Sequence, residues 1–246
     1  MIFSKINIFS IWLIILGISV VFIILIGGYT RISDSGLSIT EWLPVTGILY
    51  PTNESSWITE FNKYKMIDEF MLVNSSMTLS EFKVIYFWEW FHRAFARLIG
   101  LIYIAPLIYL IISKSVPKGY YSNILLIGLL LAIQAIVGWY MVKSGLTDRV
   151  DVSQYRLSLH LSIAFIILGL IFYLLLRFMH GHKINEDLKI QNKLLLILFI
   201  LIFFQILYGA FVSGTDSGLL YNTWPYYNGD VMPEDLIVQN RYLYSF

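Results

Sequence analysis

The fold of this chain is decided by two short motifs inside long apolar stretches, Glu89-Trp-Phe-His-Arg93 and Ser153-Gln-Tyr-Arg-Leu-Ser-Leu-His160. Each motif places a histidine about one to two turns inside a predicted membrane-spanning helix. Ionisable side chains are costly inside a bilayer, so they usually face the interior of a bundle and mark a functional site. Two imidazoles at matched depth, here His92 and His160, are what a six-coordinate haem iron needs.

The composition indicates a polytopic membrane protein. The 246 residues are 58% hydrophobic and only 13% charged, whereas soluble domains contain about 25% charged residues. The net charge of +1 gives no electrostatic case for nucleic-acid binding. Cysteine is absent, which excludes disulfides, thiolate metal sites, iron–sulfur ligation and cysteine nucleophiles.

Five apolar stretches are long enough to span a bilayer, which takes about 20 residues. The first is too long for a cleaved signal peptide and no small-residue cleavage site follows it, so it is predicted to be a transmembrane helix. The sequence therefore predicts an all-α membrane bundle with helices at roughly Phe9–Tyr29, Val84–Ile112, Asn123–Val142, Gln154–Phe178 and Lys193–Ser213.

The charges of the loops predict the orientation. The loops near 113–121 and 177–193 are basic, whereas residues 31–83 hold four basic and seven acidic side chains. Because basic loops stay in the cytoplasm, the N-terminus is predicted to be cytoplasmic and the 31–83 segment to lie outside. This segment is too long for a simple turn. We expect a cap with short helices, serving either as a structural lid or as part of a substrate entrance.

An internal repeat organises the chain. Asp34-Ser-Gly-Leu37 recurs 182 residues later as Asp216-Ser-Gly-Leu219, and Gly27 recurs as Gly209. A weaker echo follows the third helix, where Gly138 takes the place of Gly209. The Asp-Ser-Gly-Leu loops are predicted to be turns in which glycine supplies positive φ.

The repeat predicts two units of four helices. Residues 1–182 are expected to form an N-terminal four-helix bundle with the cap 31–83, and residues 183–246 to begin an incomplete second repeat. Because only one helix and one loop of that second unit are present, we expect a fragment or a truncated product.

Glu89 and the arginines are the other candidate site residues. Glu89 lies three residues before His92, on the same helix face, and could move protons or stabilise positive charge; the alternative is a salt bridge to Arg93. Arg93, Arg97 and Arg156 could pair with haem propionates, or extend to the membrane surface. For the two histidines, the alternative is a bond to a buried backbone carbonyl.

Several stretches of the sequence resemble the haem A synthase family, in the cysteine-free form of alphaproteobacteria and mitochondria. Besides the two histidine motifs, the stretches that carry the resemblance are Gly27-Gly-Tyr-Thr-Arg-Ile-Ser-Asp-Ser-Gly-Leu-Ser-Ile-Thr-Glu-Trp-Leu-Pro-Val-Thr-Gly47, Gly138-Trp-Tyr-Met-Val-Lys-Ser-Gly-Leu146 and Tyr221-Asn-Thr-Trp-Pro225.

The resemblance implies a membrane oxidoreductase that converts a methyl group of haem O to the formyl group of haem A, with oxygen drawn from water. It implies that His92 and His160 are axial ligands of the substrate haem and that Glu89 is the essential acid. The family also holds haem B on a second histidine pair, but this sequence has no histidine after His182. Its two remaining histidines, His180 and His182, are expected in a solvated loop.

The implied setting is a bacterial inner membrane, where the product serves cytochrome oxidase. Haem O synthase and an electron acceptor are candidate partners, and a homo-oligomer is a candidate state. Two alternatives stay open at this point. One is a cytochrome b-like electron carrier that leaves its haem unaltered, and the other is an inactive remnant that binds nothing.

Overall fold

The computed structural model describes residues 7–148, 150–180, 189–220, 222–223 and 225–231, and all regular elements in these ranges are helices. Five helices are long and apolar enough to cross a membrane, so the predicted all-α, multi-pass membrane bundle is confirmed. These five are α1 (Ile8–Ile32), α4 (Leu79–Ile112), α5 (Tyr121–Asp148), α6 (Gln154–His180) and α7 (Lys189–Gly214).

Four of the long helices form a ring. Helix α1 packs against both α4 and α6, and α6 packs against α5, whereas α4 and α5 touch each other least. The buried core runs through all four helices, and buried donors fasten it: Trp12 Nε1 donates to the carbonyl of Ile102 at 2.9 Å, and Tyr103 Oη donates to that of Ile124 at 2.8 Å. Helix α7 lies outside the ring, against α6.

Helix α4 begins earlier than the sequence predicted, at Leu79 instead of Val84. The cause is a capping box, in which Thr78 accepts from the backbone N–H of Glu81 while the Glu81 carboxylate accepts from that of Thr78. This extension carries Phe82 into the core of the cap. His92 consequently lies 13 residues after the start of its helix and His160 only six after Gln154.

The cap occupies the segment between α1 and α4. It contains a 3-10 turn at Thr46–Ile48 and the short helices α2 (Glu54–Tyr64) and α3 (Asp68–Leu72), as expected. An aromatic cluster on α2 packs against the first turns of α4, and its buried members are Trp57, Phe61, Tyr64, Phe82, Ile85 and Tyr86. The cap is thus built onto the end of α4 that leads to His92.

The two Asp-Ser-Gly-Leu segments take their positive φ at aspartate, and the expectation that glycine supplies it was wrong. The first segment is a turn, whereas the second continues into the one-turn helix α8 (Ser217–Leu220). Asp34 has φ 45° and Asp216 has φ 52°. Each aspartate directly follows the cap residue of a helix, where the chain reverses by a left-handed residue, and aspartate tolerates that conformation better than most residues. After α1, the backbone N–H of Ser35 then donates to the carbonyl of Thr30 at 2.9 Å.

Candidate functional site

The two histidines lie on α4 and α6, which face each other across the ring without packing together. Helix α1 separates α4 from α6 on one side and α5 lies on the other. The ring of helices therefore directs both imidazoles into one shared interior.

A glycine on a neighbouring helix packs against each histidine. A Cβ added to Gly27 of α1 would lie 3.1 Å from His92 Cε1, and one added to Gly138 of α5 would lie 2.9 Å from His160 Cε1. Real Cβ atoms are almost never found as close as the second of these distances. Because glycine has no side chain, each imidazole can occupy the space beside the neighbouring helix.

Neither histidine is satisfied by the protein around it. The Nδ1 atoms of His92 and His160 are enclosed and have no hydrogen-bond partner among the described residues. The alternative that these histidines bond backbone carbonyls through Nδ1 is thus not what the structure shows. Orphaned nitrogens are rare in protein interiors, and two imidazoles with unpartnered nitrogens on opposite helices of a ring are a ligand set that suits a haem iron.

Glu89 is buried, with 4% of its surface exposed. One carboxylate oxygen accepts from Ser38 Oγ at 2.6 Å and from the backbone N–H of Ile39 at 2.7 Å. The other accepts from Arg93 Nη2. The salt bridge to Arg93, which was the alternative reading of the sequence, is present, and the carboxylate also anchors the cap one turn before His92.

Arg93 and Arg97 bind the backbone of the cap. Arg93 donates to the carbonyls of Ile39 at 3.0 Å and Glu41 at 3.1 Å. Arg97 donates to the carbonyls of Leu43 at 3.0 Å and Pro44 at 2.9 Å. Arg97 Nη1 is enclosed and unpartnered among the described residues, so this arginine retains a donor for an anionic group.

Arg156 lies apart from the other two arginines. Its guanidinium stacks 4.5 Å from the centre of the Tyr140 ring, and its Nη2 donates to the Tyr140 hydroxyl at 3.2 Å. Tyr140 belongs to α5, two residues beyond Gly138. The contact joins the start of α6 to α5 near His160.

A cavity of about 270 Å³ between the cap, α4 and α5 contains side chains that the sequence reading did not single out. Its walls carry two cation–aromatic pairs, with Arg93 5.7 Å from the Trp42 ring centre and Lys143 5.1 Å from that of Trp139. The i,i+4 spacing of Trp139 and Lys143 on α5 was the signal available in the sequence.

Arg31 was ambiguous in the sequence and proves to join the two copies of the repeat. It donates to Asp34 Oδ1 and Asp216 Oδ1, both at 2.7 Å, and to the carbonyl of Ser213 at 2.6 Å. His180 was expected in a loop but is the last residue of α6; its side chain and all of His182 lie outside the described residues. Within the described part of the chain, no three His, Asp or Glu side chains form a group that could hold a metal ion by themselves.

The comparisons with known proteins identify the family of the chain. Residues 10–244 match the COX15-CtaA family model, described as cytochrome oxidase assembly protein. No solved structure matches the chain.

Curated relatives match over nearly the whole chain. A haem A synthase of Parvibaculum lavamentivorans is 42% identical over 96% of this chain and 68% of the relative. Haem A synthases of Maricaulis maris and Pelagibacter ubique are each 45% identical over 92% of this chain, and over 66% and 67% of their own lengths. The chain therefore spans about two thirds of the length of these relatives, and it belongs to the haem A synthase family.

Proposed function

We propose that this chain is a haem A synthase polypeptide that binds haem O between His92 and His160 and oxidises one of its methyl groups to a formyl group. The observation that carries the proposal is the pair of enclosed, unpartnered imidazole nitrogens on facing helices, each packed against a glycine. The curated names of the relatives support the same activity. An electron-carrier role is not favoured by these names.

The chemistry sets the demands on the site. Haem O supplies the methyl group, and water supplies the oxygen. Converting a methyl group and one water to a formyl group releases four protons and four electrons in all. The protein must therefore hold the macrocycle by two ligands, admit water at one edge and let protons leave.

The basic side chains around the cap are suited to the propionates. Arg97 keeps an enclosed, unpartnered Nη1 donor, and Lys143 projects from α5 beside the cavity under the cap. Arg93 lines the same cavity but is already bound to Glu89 and to cap carbonyls. Arg156 stays a candidate on the α6 side. We assign Arg97 the largest contribution to propionate binding, because a carboxylate at this position would satisfy its orphaned guanidinium nitrogen.

Glu89 is assigned the role of the acid nearest the reacting end. It lies one turn from His92, and its bonds to Arg93, Ser38 and Ile39 fix its position. A fixed negative charge at this place would stabilise positive charge that develops at the macrocycle edge during oxidation.

The proposal also includes the membrane, the orientation of the chain and its partners. The chain spans a bacterial inner membrane with its N-terminus in the cytoplasm and its cap outside, in keeping with the basic loops 113–121 and 177–193. Haem O synthase would deliver the substrate, and an electron acceptor would remove the electrons. His92 and His160, the histidines whose side chains the structure describes, can hold one haem. A haem B cofactor would need other ligands.

The deciding experiment is chromatography with mass detection of haem extracted from the purified chain, expressed in cells that make haem O. Hydroxylated haem O or haem A is expected in the wild-type chain. Glu89→Gln should keep bound haem O and lose the oxidised products, whereas His92→Ala and His160→Ala should lose the haem. His182→Ala is the matched histidine control and should change neither.

Haem B alone in the wild-type chain would support the electron carrier instead. Undiminished product in Glu89→Gln would remove Glu89 from the chemistry and leave it as an anchor of the cap.

A further inference from the structure

A second buried acid, Glu69, lies in the cap and has no part in the site described so far. It belongs to α3 and exposes only 6% of its surface. Its Oε2 atom is enclosed and has no hydrogen-bond partner among the described residues. Its Oε1 receives only a long contact of 3.4 Å from Asn74 Nδ2. Apart from the Tyr64 hydroxyl beside it, this enclosed carboxyl has few donors and is poorly suited to carry a negative charge.

Four titratable groups act electrostatically on Glu69: three carboxylates disfavour its ionised form, whereas the Tyr64 hydroxyl favours it. They come from four separate parts of the chain: Tyr64 of α2, Glu89 of α4, Asp34 after α1 and Asp151 before α6. Three of the four are carboxylates, and among the described residues no cation acts on Glu69. Burial, together with the charge of Glu89, raises the pKa of Glu69 from 4.5 to about 8. The carboxyl therefore holds a proton near neutral pH.

Glu69 also has a connection to water. The Tyr64 hydroxyl lies beside it and accepts a hydrogen bond of 2.8 Å from Asn74 Nδ2. Tyr64 is fully buried, whereas Asn74 is only half-buried, at the end of the turn that follows α3. Polar groups thus extend from the buried carboxyl to the surface of the cap.

The two buried acids of the cap end differ in what they can do. Glu89 is bound by three donors, Ser38, Ile39 and Arg93, and gaining a proton would disrupt that network. Glu69 can gain or lose a proton without breaking a comparable set of bonds. A site that must release protons therefore has, in Glu69, a carboxyl whose proton can exchange.

We propose that Glu69 is the residue through which the candidate site passes protons to water. The O–H bond of the neutral carboxyl breaks, its proton moves to water at the surface of the cap, and the carboxylate is reprotonated by a proton released at the site. No electron moves in this step. The proposal rests on the proposed function for the source of the protons, but the proton exchange of Glu69 itself can be measured without turnover.

The first test is an infrared pH titration of the purified full-length chain, comparing wild type, Glu69→Gln and Asp68→Asn. Asp68 is the matched control, because it precedes Glu69 on the same short helix and is exposed. A protonated-carboxyl band should disappear near pH 8 in the wild type and in Asp68→Asn, and should be absent from Glu69→Gln. A Glu69 carboxyl that is already ionised at pH 6 would overturn the proposal.

The pH dependence of thermal unfolding is an independent test of whether Glu69 is protonated in the folded chain. The pKa of Glu69 is about 8 in the folded chain and 4.5 ordinarily. Between these two pH values the folded state therefore binds one proton more than the unfolded state. The stability from Glu69 is then fully present below pH 4.5 and is lost as pH rises through about 8. Glu69→Gln should flatten this decline in unfolding temperature, and an unchanged decline would contradict the proposal.

The second test concerns the role in turnover and uses the pH profile of oxidised haem formed in membranes. Glu69→Gln should lower the yield at neutral pH by about tenfold or more while bound haem O stays at the wild-type amount; Asp68→Asn should match the wild type. An unchanged profile in Glu69→Gln would overturn the role in proton release. Should the wild type form no product, the proposed function fails, and the infrared titration still decides whether Glu69 exchanges a proton.

Discussion

Helices α1 and α7 are two copies of one element in different surroundings. They end at equivalent positions, Ile32 and Gly214, and each is followed by an aspartate with positive φ. Their environments differ: Gly27 of α1 packs against His92, whereas nothing described lies within 4 Å of a Cβ at Gly209. The repeated sequence specifies how the helix ends, and the neighbouring helix decides whether the glycine serves a site.

The turns that follow the helices show the same contrast. Leu37 is 2% exposed and Leu219 is 80% exposed, although both close the same four-residue motif. Leu37 packs against Gly145 of α5, where an added Cβ would lie 2.7 Å from its Cδ2 atom. The motif thus provides a leucine that the first copy buries against α5 and the second copy leaves exposed in the described structure.

The largest difference in stability between equivalent substitutions in the two copies is expected at Leu37 and Leu219. Leu37→Ala should destabilise the chain by about 2–5 kcal/mol, because it removes a buried side chain and leaves a cavity. Leu219→Ala should change stability by no more than about 0.5 kcal/mol. Thermal unfolding of both variants in the same detergent measures the comparison. Equal effects would show that the second turn is also covered in the folded protein.

A smaller difference in stability is expected between substitutions of two glycines of the repeat, Gly138 and Gly209. Gly138→Ala should cost about 1–3 kcal/mol by overpacking against His160, and it should lower the amount of bound haem. Gly209→Ala should be neutral or slightly stabilising, since alanine is favoured over glycine inside a helix by about 0.5–1 kcal/mol. Haem absorbance per mole of protein and the unfolding temperature are the measurements. A Gly138→Ala variant that binds haem normally would argue against close packing of the imidazole.

The smallest effect is expected at Arg31, the side chain that joins the copies. Its guanidinium is 16% exposed, but its partners Asp34 and Asp216 are 74% and 56% exposed, so each pair should contribute about 0–1 kcal/mol. Arg31→Ala should therefore lower stability modestly, and a double-mutant cycle with Asp216→Asn should show coupling. Additive effects in that cycle would mean that the contact does not hold α1 and α7 together.

Much of this architecture could be predicted from the sequence. Hydropathy located the five spans because each is a continuous apolar run, and the two histidines were conspicuous because ionisable residues are rare in such runs. The start of α4 was missed because Thr78 and Glu81 extend the helix by capping, which an apolar window does not register.

The partners of the site residues could not be predicted in the same way. Arg93 and Arg97 bind carbonyls of the cap, and backbone groups leave no signature in a sequence pattern. Glu69 was not singled out because its burial depends on how α3 packs against the rest of the cap end. Its charge alone is indistinguishable in sequence from that of exposed Asp68.

The attachment of the cap has a consequence for how this protein can diverge. Arg93 and Arg97 hold the cap through the carbonyls of Ile39, Glu41, Leu43 and Pro44. Every residue type carries a backbone carbonyl, so these four carbonyl contacts survive changes of the side chains of the strip, provided the backbone keeps its course. The two arginines have no such freedom. A homologue could therefore acquire a new surface over the site by drift in residues 39–44 while it retains the same two cations beneath.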